Sequence, residues 1–422
     1  MRLILFDCLS EKRIGFHPLA LSRPIFELRC GIGSPGDKLV AKLGVDDVAY
    51  FVPPYMADAY RTATLRPVND PATLLGDDLL LVDGRVKPRE LLVSATGPSC
   101  VAADGAGEVA CVRVAQRDLG RLKTDSIDAL LESARAVLPA ADEPVAAWNY
   151  IWELILENPS QLAADFAALG RSGIEGRVEE PSAIRGDKKD VYVAPGAVVH
   201  PLAVLDAQQG PIYLDQGVEV HPFTRIEGPC YVGPGSVLLG CKCRRGNSIG
   251  PMCRLGGEVE ESIIQGHSNK YHDGFLGHAY VGQWVNLGAM TANSDLKNDY
   301  SNVSVVLDGK TPVDTGSAKV GSLIGDHAKT SIGTLLNTGA YVGAMTLLMA
   351  DGRLLPKFIP SFAWCVDGLL SEGLGKIRLY EAAKAAMGRR QSAWTAAHES
   401  LWDAVFERTA PERERAFRRG KK

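Results

Sequence analysis

From Val193 onward, large apolar residues recur every six positions: Val193, Val199 and Leu205, then, after a short insertion, Leu214, Val220, Ile226, Val232 and Leu238. Four residues beyond them stand small or β-branched ones: Ala197, Ala203, Val218, Thr224, Cys230 and Ser236. Pro or Gly fills the turns between, as in VAPGAV, VHPLAV, VHPFTR and VGPGSV. A helix would repeat at 3.6 and a simple strand at 2. Period six, with one large and one small inward residue per step, predicts short strands joined by tight corners. Three such flats close one coil of a three-sided prism, about 18 residues long. The rhythm blurs after Leu238 and returns in IGPMCRLGG, LGHAYVGQWVNLGA and IGTLLNTGAYVGA. The blurred stretches, 256–275 and 293–319, are expected as loops leaving the prism, where function usually sits.

Before residue 190 the texture differs. The apolar openings LILFD and DLLLVDGRV read as buried strands, each ending in an Asp, and residues 125–139 and 148–169 have helical spacing. The expected layout is an α/β domain over 1–147, a helical connector over 148–180, the prism over 181–350 and a C-terminal helical extension over 351–422. LLPKFIPSFAW should cross the end of the prism, and residues 374–419 should be helical, with the basic finish RERAFRRGKK.

Composition narrows the class. The chain has 422 residues, 46 Lys+Arg against 50 Asp+Glu, and a net charge of −4. That balance speaks against an electrostatic nucleic-acid binder, and the basic finish reads as a solvated helix end. No apolar run approaches the ~20 residues of a membrane span, and the apolar core of the opening MRLILFDCLSEKR is too short for a signal peptide. A cytoplasmic protein without nucleic-acid or membrane partners is expected. Cys230 and Cys253 fall at the small inward position, and Cys241-x-Cys243 lacks a second pair at zinc spacing, so the cysteines read as structural.

The densest polar constellation lies between Gly266 and Lys297: GHSNKYHDGFLGHAYVGQWVNLGAMTANSDLK. The repeat resembles the left-handed parallel β-helix of hexapeptide-repeat acyltransferases, and the handedness comes from that resemblance. The constellation resembles the acetyltransferase half of the bifunctional UDP-N-acetylglucosamine pyrophosphorylase/glucosamine-1-phosphate acetyltransferase family. There a basic loop leads to a His four residues before Leu-Gly, then Asn-x-Gly-Ala-x-Thr, then an Asn-x-Asp-like loop with a Lys. Here these are His272 before Leu276-Gly277, Asn286 in NLGAMT, and Asn293 and Lys297 in NSDLKN. VGSLIGDHAKTSIGTLLNTG and PKFIPSFAW extend the match toward a shorter bacterial variant, the alternative sugar nucleotidyltransferases. The resemblance implies acetyl transfer from acetyl-CoA to a hexosamine 1-phosphate. His272 would take the amine proton, as imidazole suits that task. Asn286 and Asn293 would hold the sugar, and Lys297 a phosphate or the cofactor. Backbone N–H groups in the Gly-rich turns would stabilise the oxyanion. The family's sugar-binding Tyr is Phe275 here and its phosphate-gripping Lys falls at Glu260-Glu261, so Arg254, Lys242, Arg244 or Arg245 would supply the charge. A homotrimer is implied, with acyl-CoA between neighbouring prisms.

For the N-terminal part the resemblance implies a shortened, Rossmann-like nucleotidyltransferase domain joining a sugar 1-phosphate to UTP or another nucleoside triphosphate. The family's Gly-rich phosphate loop is missing from LILFDCLSEKR; the nearest equivalent is LSRPIFELRCGIG. Arg23 would neutralise the triphosphate, with Lys38 a weaker candidate. Asp83, at a strand's carboxyl end, and Asn149, opening a helix, would hold Mg²⁺, which prefers hard oxygen ligands. Two alternatives keep the fold and change the function: acyl transfer alone with a degenerate N-terminal domain, and a non-catalytic trimeric scaffold that binds sugar nucleotides. A third is a metalloenzyme resembling γ-type carbonic anhydrases. His267 and His272 have the spacing of two of its ligands, but Tyr231 stands where the third belongs, and His221 comes ten residues earlier.

Overall fold

In a computed structural model of the chain, which describes residues 1–7 and 11–419, the N-terminal domain is built on five strands. They are β1 (Arg2–Phe6), β2 (Val48–Phe51), β3 (Leu79–Asp83), β4 (Cys100–Ala103) and β5 (Val109–Val114), in the order β2-β1-β3-β5-β4. β1 runs parallel to β2 and β3, whereas β5 is antiparallel to β3 and β4, so one reversed strand breaks a pure Rossmann pattern. Every residue of β3 is buried, because both faces are covered, which is why LLLVD reads as an unbroken apolar run. On one face Leu130 and Ala134 of helix α3 (Ile127–Val137) pack on Ile4, Leu79 and Leu81. On the other, Leu39 of α1 (Pro35–Leu43) packs on Leu3, Leu5 and Leu80. The ends of α1 are fixed locally: Ser34 and Asp37 form a capping box, Pro35 opens the helix and Gly44 closes it at φ 61°. A short helix, α2 (Ala57–Ala63), follows β2.

Helix α4 (Ile151–Leu169) carries the chain to the prism and lies along it. Its Leu162 meets Tyr192, Tyr213 and Tyr231, and its Asn158 side chain binds the Gly31 amide at 2.6 Å and the Gly246 carbonyl at 2.8 Å. The hexapeptide prism is present as a parallel β-helix. One face has ten strands, from Gly173–Ile174 to Phe358–Ile359. All eight large residues of the six-residue rhythm point into its core, together with Ala197, Ala203, Val218 and Cys230. Cys241, Cys243 and Cys253 are inward too.

The corners explain the Pro-x turns. Gly196, Gly217 and Gly235, then Met252, His267, Trp284, His327, Met345 and Phe362, sit one position before the small inward residue with φ between 55° and 76°. From Gly235 on, most of these amides donate to a carbonyl of the coil below, for example Met252 to Pro234, His267 to Pro251 and His327 to Gln283, so the corner residues stack in one column. A left-handed conformation costs an L-residue about 1–2 kcal/mol, which glycine avoids. Where side chains replace glycine, they pack on one another: His267 on Trp284 at 4.4 Å and Trp284 on His327 at 6.3 Å between ring centroids.

Two boundaries differ from expectation. The rungs begin at Gly173 and reach Val366, beyond 181–350 on both sides. The stretch 256–275 is no loop but a further coil, with strands Glu258–Glu260, Ile263–Gly266 and Asn269–Lys270. It was hidden because the coil is short, stepping from Leu255 to Val259 and Ile264, and because a lysine, Lys270, takes an inward position. The second loop does leave the prism, carrying an antiparallel hairpin of Ser304–Val306 and Pro312–Asp314.

Three helices follow: α5 (Gly375–Gly388), α6 (Ala396–Arg408) and α7 (Ala410–Arg419). Leu401, Trp402 and Val405 of α6 share one core with the N-terminal sheet and with Met345 and Phe362 of the corner column. The C-terminal helices therefore wedge between domain and prism. Helix α7 meets the end of the prism through Phe417. The basic finish is partly turned inward: Arg413 lies 3.8 Å over the Phe406 ring, and Arg415 donates to the Asp308 carbonyl. Among the described residues no helix is long and apolar enough to cross a membrane.

Candidate functional site

One prism face presents Arg254, Asn269, Asn286 and Lys329 on successive parallel rungs, directly above one another in register. The last turn of α5 and the Arg389-Arg390 pair that follows it lie over this face. Between them runs a groove whose two parts, of about 680 and 420 Å³, share Asn269, Asn286, Arg389 and Arg390. Its far part is lined by His272, Tyr271 and Arg254, and its near part by His267, Trp284 and Lys329. Ala382, Ala385 and Ala386 give the helix wall a smooth apolar strip. Arg390 donates to the Asn269 side chain at 2.9 Å, and Asn269 in turn to Asn286 at 3.3 Å. Arg254 caps the carbonyls of Gly235 and Cys253.

The charge of this groove is one-sided. Arg254, Lys329, Arg389 and Arg390 line it and no carboxylate does, among the described residues. The crowding shows in the titration of its members. Burial, and then Arg254, lowers the pKa of Arg390; burial brings Lys329 down to about 8; burial, and then Arg390, lowers that of His267. A groove that concentrates cations in a partly dehydrated setting favours a polyanionic ligand such as a phosphate ester. Under the groove, the ammonium of inward-facing Lys270 donates to the backbone carbonyl of His272 and so ties down the loop that presents the imidazole.

The structure thus brings together His272, Asn286 and Arg254, and adds Asn269, Lys329, Arg389 and Arg390. It does not bring in Asn293 or Lys297. Asn293 is buried, its amide clamped on Gly277, accepting from the nitrogen at 2.8 Å and donating to the oxygen at 2.9 Å. Lys297 lies on the departing loop, close enough to Lys357 to help lower that residue's pKa, after burial. The Arg389-Arg390 doublet carries no sequence signal of its own, because no spacing reveals that α5 folds back along the prism. His278 also escaped notice. It is buried with Nδ1 2.8 Å from Asp295 and Nε2 3.1 Å from Glu261.

On the N-terminal side, Arg23 lines a cavity of about 310 Å³ where the domain, the corner column and the C-terminal helices meet. Tyr50, Tyr60, Trp284 and Trp402 wall it. Arg23 is ion-paired to Asp326, which also accepts from Ser22 at 2.7 Å. Lys38 is engaged by Asp165 and Gln161. Asp83 is 1% exposed, and Arg85 holds both its oxygens, at 3.1–3.3 Å, while also bridging to Asp104. Burial raises the Asp83 pKa and Arg85 opposes that rise. Asn149 is exposed just before α4, its backbone N–H donating to the Glu153 carboxylate at 2.7 Å. A magnesium ion does not fit this arrangement, because the guanidinium occupies the lone pairs the ion would need. The carbonic-anhydrase-like pair is not assembled either. His267 stacks on Trp284 and His272 faces Tyr271, and neither belongs to a cluster of three metal-ligating side chains among the described residues.

Residues 3–172 match the family described as sugar nucleotidyl transferase. The chain is 32% identical over 148 residues to a bifunctional sugar-1-phosphate nucleotidylyltransferase/acetyltransferase of Sulfurisphaera tokodaii, covering 32% of this chain and 34% of that one. It is 37% identical over 99 residues to the bifunctional protein GlmU of an Azoarcus species, covering 21% of each. The chain spans about a third or less of the length of these relatives. The solved UDP-N-acetylglucosamine acyltransferase of Francisella novicida overlays 57% of this chain at 11% identity with a TM-score of 0.28, too loose a fit to carry an argument. Residues 3–172 are thus similar to sugar nucleotidyl transferases and lead into a parallel β-helix, and over a third of its length or less the chain is similar to proteins named as bifunctional.

Proposed function

We propose that this chain works in sugar-nucleotide synthesis, transferring an acetyl group from acetyl-CoA to a hexosamine 1-phosphate in the groove between prism and α5. The observation that carries the reading is the cation-lined, carboxylate-free groove with His272 at one end. The sugar amine attacks the thioester carbonyl, a C–N bond forms and the C–S bond breaks. His272 takes the amine proton, and the CoA sulfur leaves as thiolate and is then protonated. Arg254, Arg389 and Arg390 would hold phosphate groups, and Asn286 would orient the sugar. Asn293 would act indirectly, by fixing Gly277, and Lys297 would have to reach the groove from its loop. UDP-N-acetylglucosamine as the eventual product, a homotrimer and a cytoplasmic location are part of this proposal and rest on the resemblance.

The N-terminal domain would join the sugar 1-phosphate to UTP or another nucleoside triphosphate. The phosphate oxygen attacks the α-phosphorus, the α–β bridge breaks and pyrophosphate leaves, with Arg23 released from Asp326 to meet the triphosphate. A second reading, acyl transfer alone, is favoured by the closed Asp83–Arg85 pair, which leaves no room for the metal at Asp83.

The test is CoA release from acetyl-CoA over a panel of hexosamine 1-phosphates. His272→Ala should lower the rate roughly 10²–10⁴-fold, and Arg390→Ala should raise KM with a smaller effect on kcat. No release with any amino sugar phosphate would overturn the acetyl transfer. Release without pyrophosphate formation from any nucleoside triphosphate would select the second reading.

A further inference from the structure

At the N-terminal end of the prism, far along the chain from the groove, one edge of a face carries a set of side chains with no part in the proposed reaction. Val199 and Val220 point inward on successive parallel rungs, in register, so the residues that follow them, His200 and His221, stand one above the other outside. Their ring centroids are 5.1 Å apart. Glu219 leans over the same spot, its carboxylate 3.4 Å from Nε2 of His221. One ligand atom from each of His200, Glu219 and His221 lies within 4.8 Å of the others. On the preceding rung, Glu179 sits 3.2 Å from Nδ1 of His200. A carboxylate there accepts a hydrogen bond from Nδ1–H and so holds the neutral tautomer with its lone pair on Nε2, which is how histidine ligands are commonly set for a metal.

We propose that His200, Glu219 and His221 form a binding site for a divalent transition-metal ion, best suited to Zn²⁺, with Glu179 as the partner that orients His200. Two imidazoles and one carboxylate are a zinc donor set, and there are too few oxygens for Ca²⁺ or Mg²⁺. Tetrahedral zinc at about 2.0–2.1 Å from each donor needs ligand atoms roughly 3.4 Å apart. The three side chains are about one-third to one-half exposed, so rotamer adjustment closes the remaining distance without moving the backbone. Solvent fills the open position. The ion would tie together two consecutive rungs, those of His200 and Glu219–His221, with the rung of Glu179 joined through its bond to His200, at the end where the face has its last strand, Arg177–Val178. Terminal repeats of a solenoid have a neighbour on one side only and are the first to fray. A staple at that position acts on the weakest coil.

The experiment titrates Zn²⁺ into the untagged, chelator-stripped full chain against a chromogenic zinc indicator, alongside thermal unfolding with and without Zn²⁺. The expected result is a zinc ion bound per chain and a Tm that rises with Zn²⁺ but not with Ca²⁺. The double variant His200→Ala/His221→Ala should lose that ion and the Tm rise while keeping the parent's secondary structure. Glu179→Gln should bind about 10–100-fold more weakly, a change that an unrelated surface carboxylate would not produce. No binding by the parent would overturn the proposal. So would a double variant that binds the same number of ions with the same affinity, since the ions would then sit elsewhere, for example on cysteines.

Discussion

Replacing Lys270 with methionine should make the protein more stable and less active. Lys270 occupies an inward prism position between Leu255 and Leu287, at 2% exposure, where every other coil places an apolar or small residue. Burial brings its pKa from 10.5 down to about 8, only slightly offset by Cys241 and Asp273. A lowered lysine pKa means that the folded state disfavours the charge. Below pH 8 both states are protonated and the folded chain bears the full cost. A shift of about 2.5 units at 1.36 kcal/mol each makes that cost about 3 kcal/mol at pH 7. As the pH rises from the folded pKa toward the unfolded one, the cost fades, to less than about 1 kcal/mol at pH 10. Lys270→Met keeps the length, fills the core and removes the charge. Its prism should therefore unfold roughly 6–12 °C above the parent's at pH 7, and the two should converge at pH 10. The assay is thermal and urea unfolding of both proteins at the two pH values. The same variant takes the donor from the His272 carbonyl, so kcat should fall although the fold is firmer. Equal stability at pH 7, or a difference that does not shrink at pH 10, would refute the reasoning.

Removing His278 should cost about 3 kcal/mol, chiefly because Asp295 would be left buried without its partner, whereas Glu261 keeps Arg245. Burial alone would lower the His278 pKa, but hydrogen bonds to Asp295 and Glu261 raise it, and the bond to His278 is the main reason the Glu261 pKa is lowered. The bridge should therefore be fully present below the ordinary histidine pKa, fade as pH rises through the raised one, and fail in acid as pH falls through that of Glu261; urea midpoints across pH, parent minus His278→Ala, read both limbs. Arg85→Met should destabilise the N-terminal domain by about 3–5 kcal/mol, and adding Asp83→Asn should recover part of the loss; a double variant no better than the single would argue against the pair as the cause. Leu202→Asn, at an exposed corner with φ 66°, should stabilise the prism by about 1 kcal/mol, because Asn tolerates the left-handed conformation better than Leu; a fall in Tm would show that the Leu202 side chain contributes more than its strain costs.

The prism was legible because one inward residue every six is a local rule, and Val193 through Leu238 obey it with a single insertion between Leu205 and Leu214. The coil over 256–275 obeys it too, but with a shortened step and a lysine turned inward, so hydropathy alone misplaced it as a loop. In the groove, His272 and Asn286 follow from motif order, because neighbouring coils carry them at fixed chain separations, whereas Arg254 is one of four cations among which no motif chooses. Arg389 and Arg390 could not be found that way: their place depends on where α5 docks, which is settled by Leu379, Tyr380 and Ala383 packing in a core with residues hundreds of positions earlier, and Lys329 is parted from Asn286 by the loop over 293–319. Asn293 and Asp83 show the opposite failure. Each stands where a motif would want it, yet a local partner, the Gly277 backbone or the Arg85 guanidinium, has already claimed its polar atoms.

The docking of α5 along the prism also bears on how the groove comes into being. One wall is the rung ladder from Arg254 to Lys329, and the other is a helix of the same polypeptide. Bringing the two walls together is a unimolecular event, so its equilibrium is set by tether length and packing and carries no dependence on protein concentration. A dilution series that leaves the groove's affinity for phosphate esters unchanged, down to concentrations where any oligomer has separated, is the behaviour such a construction entails.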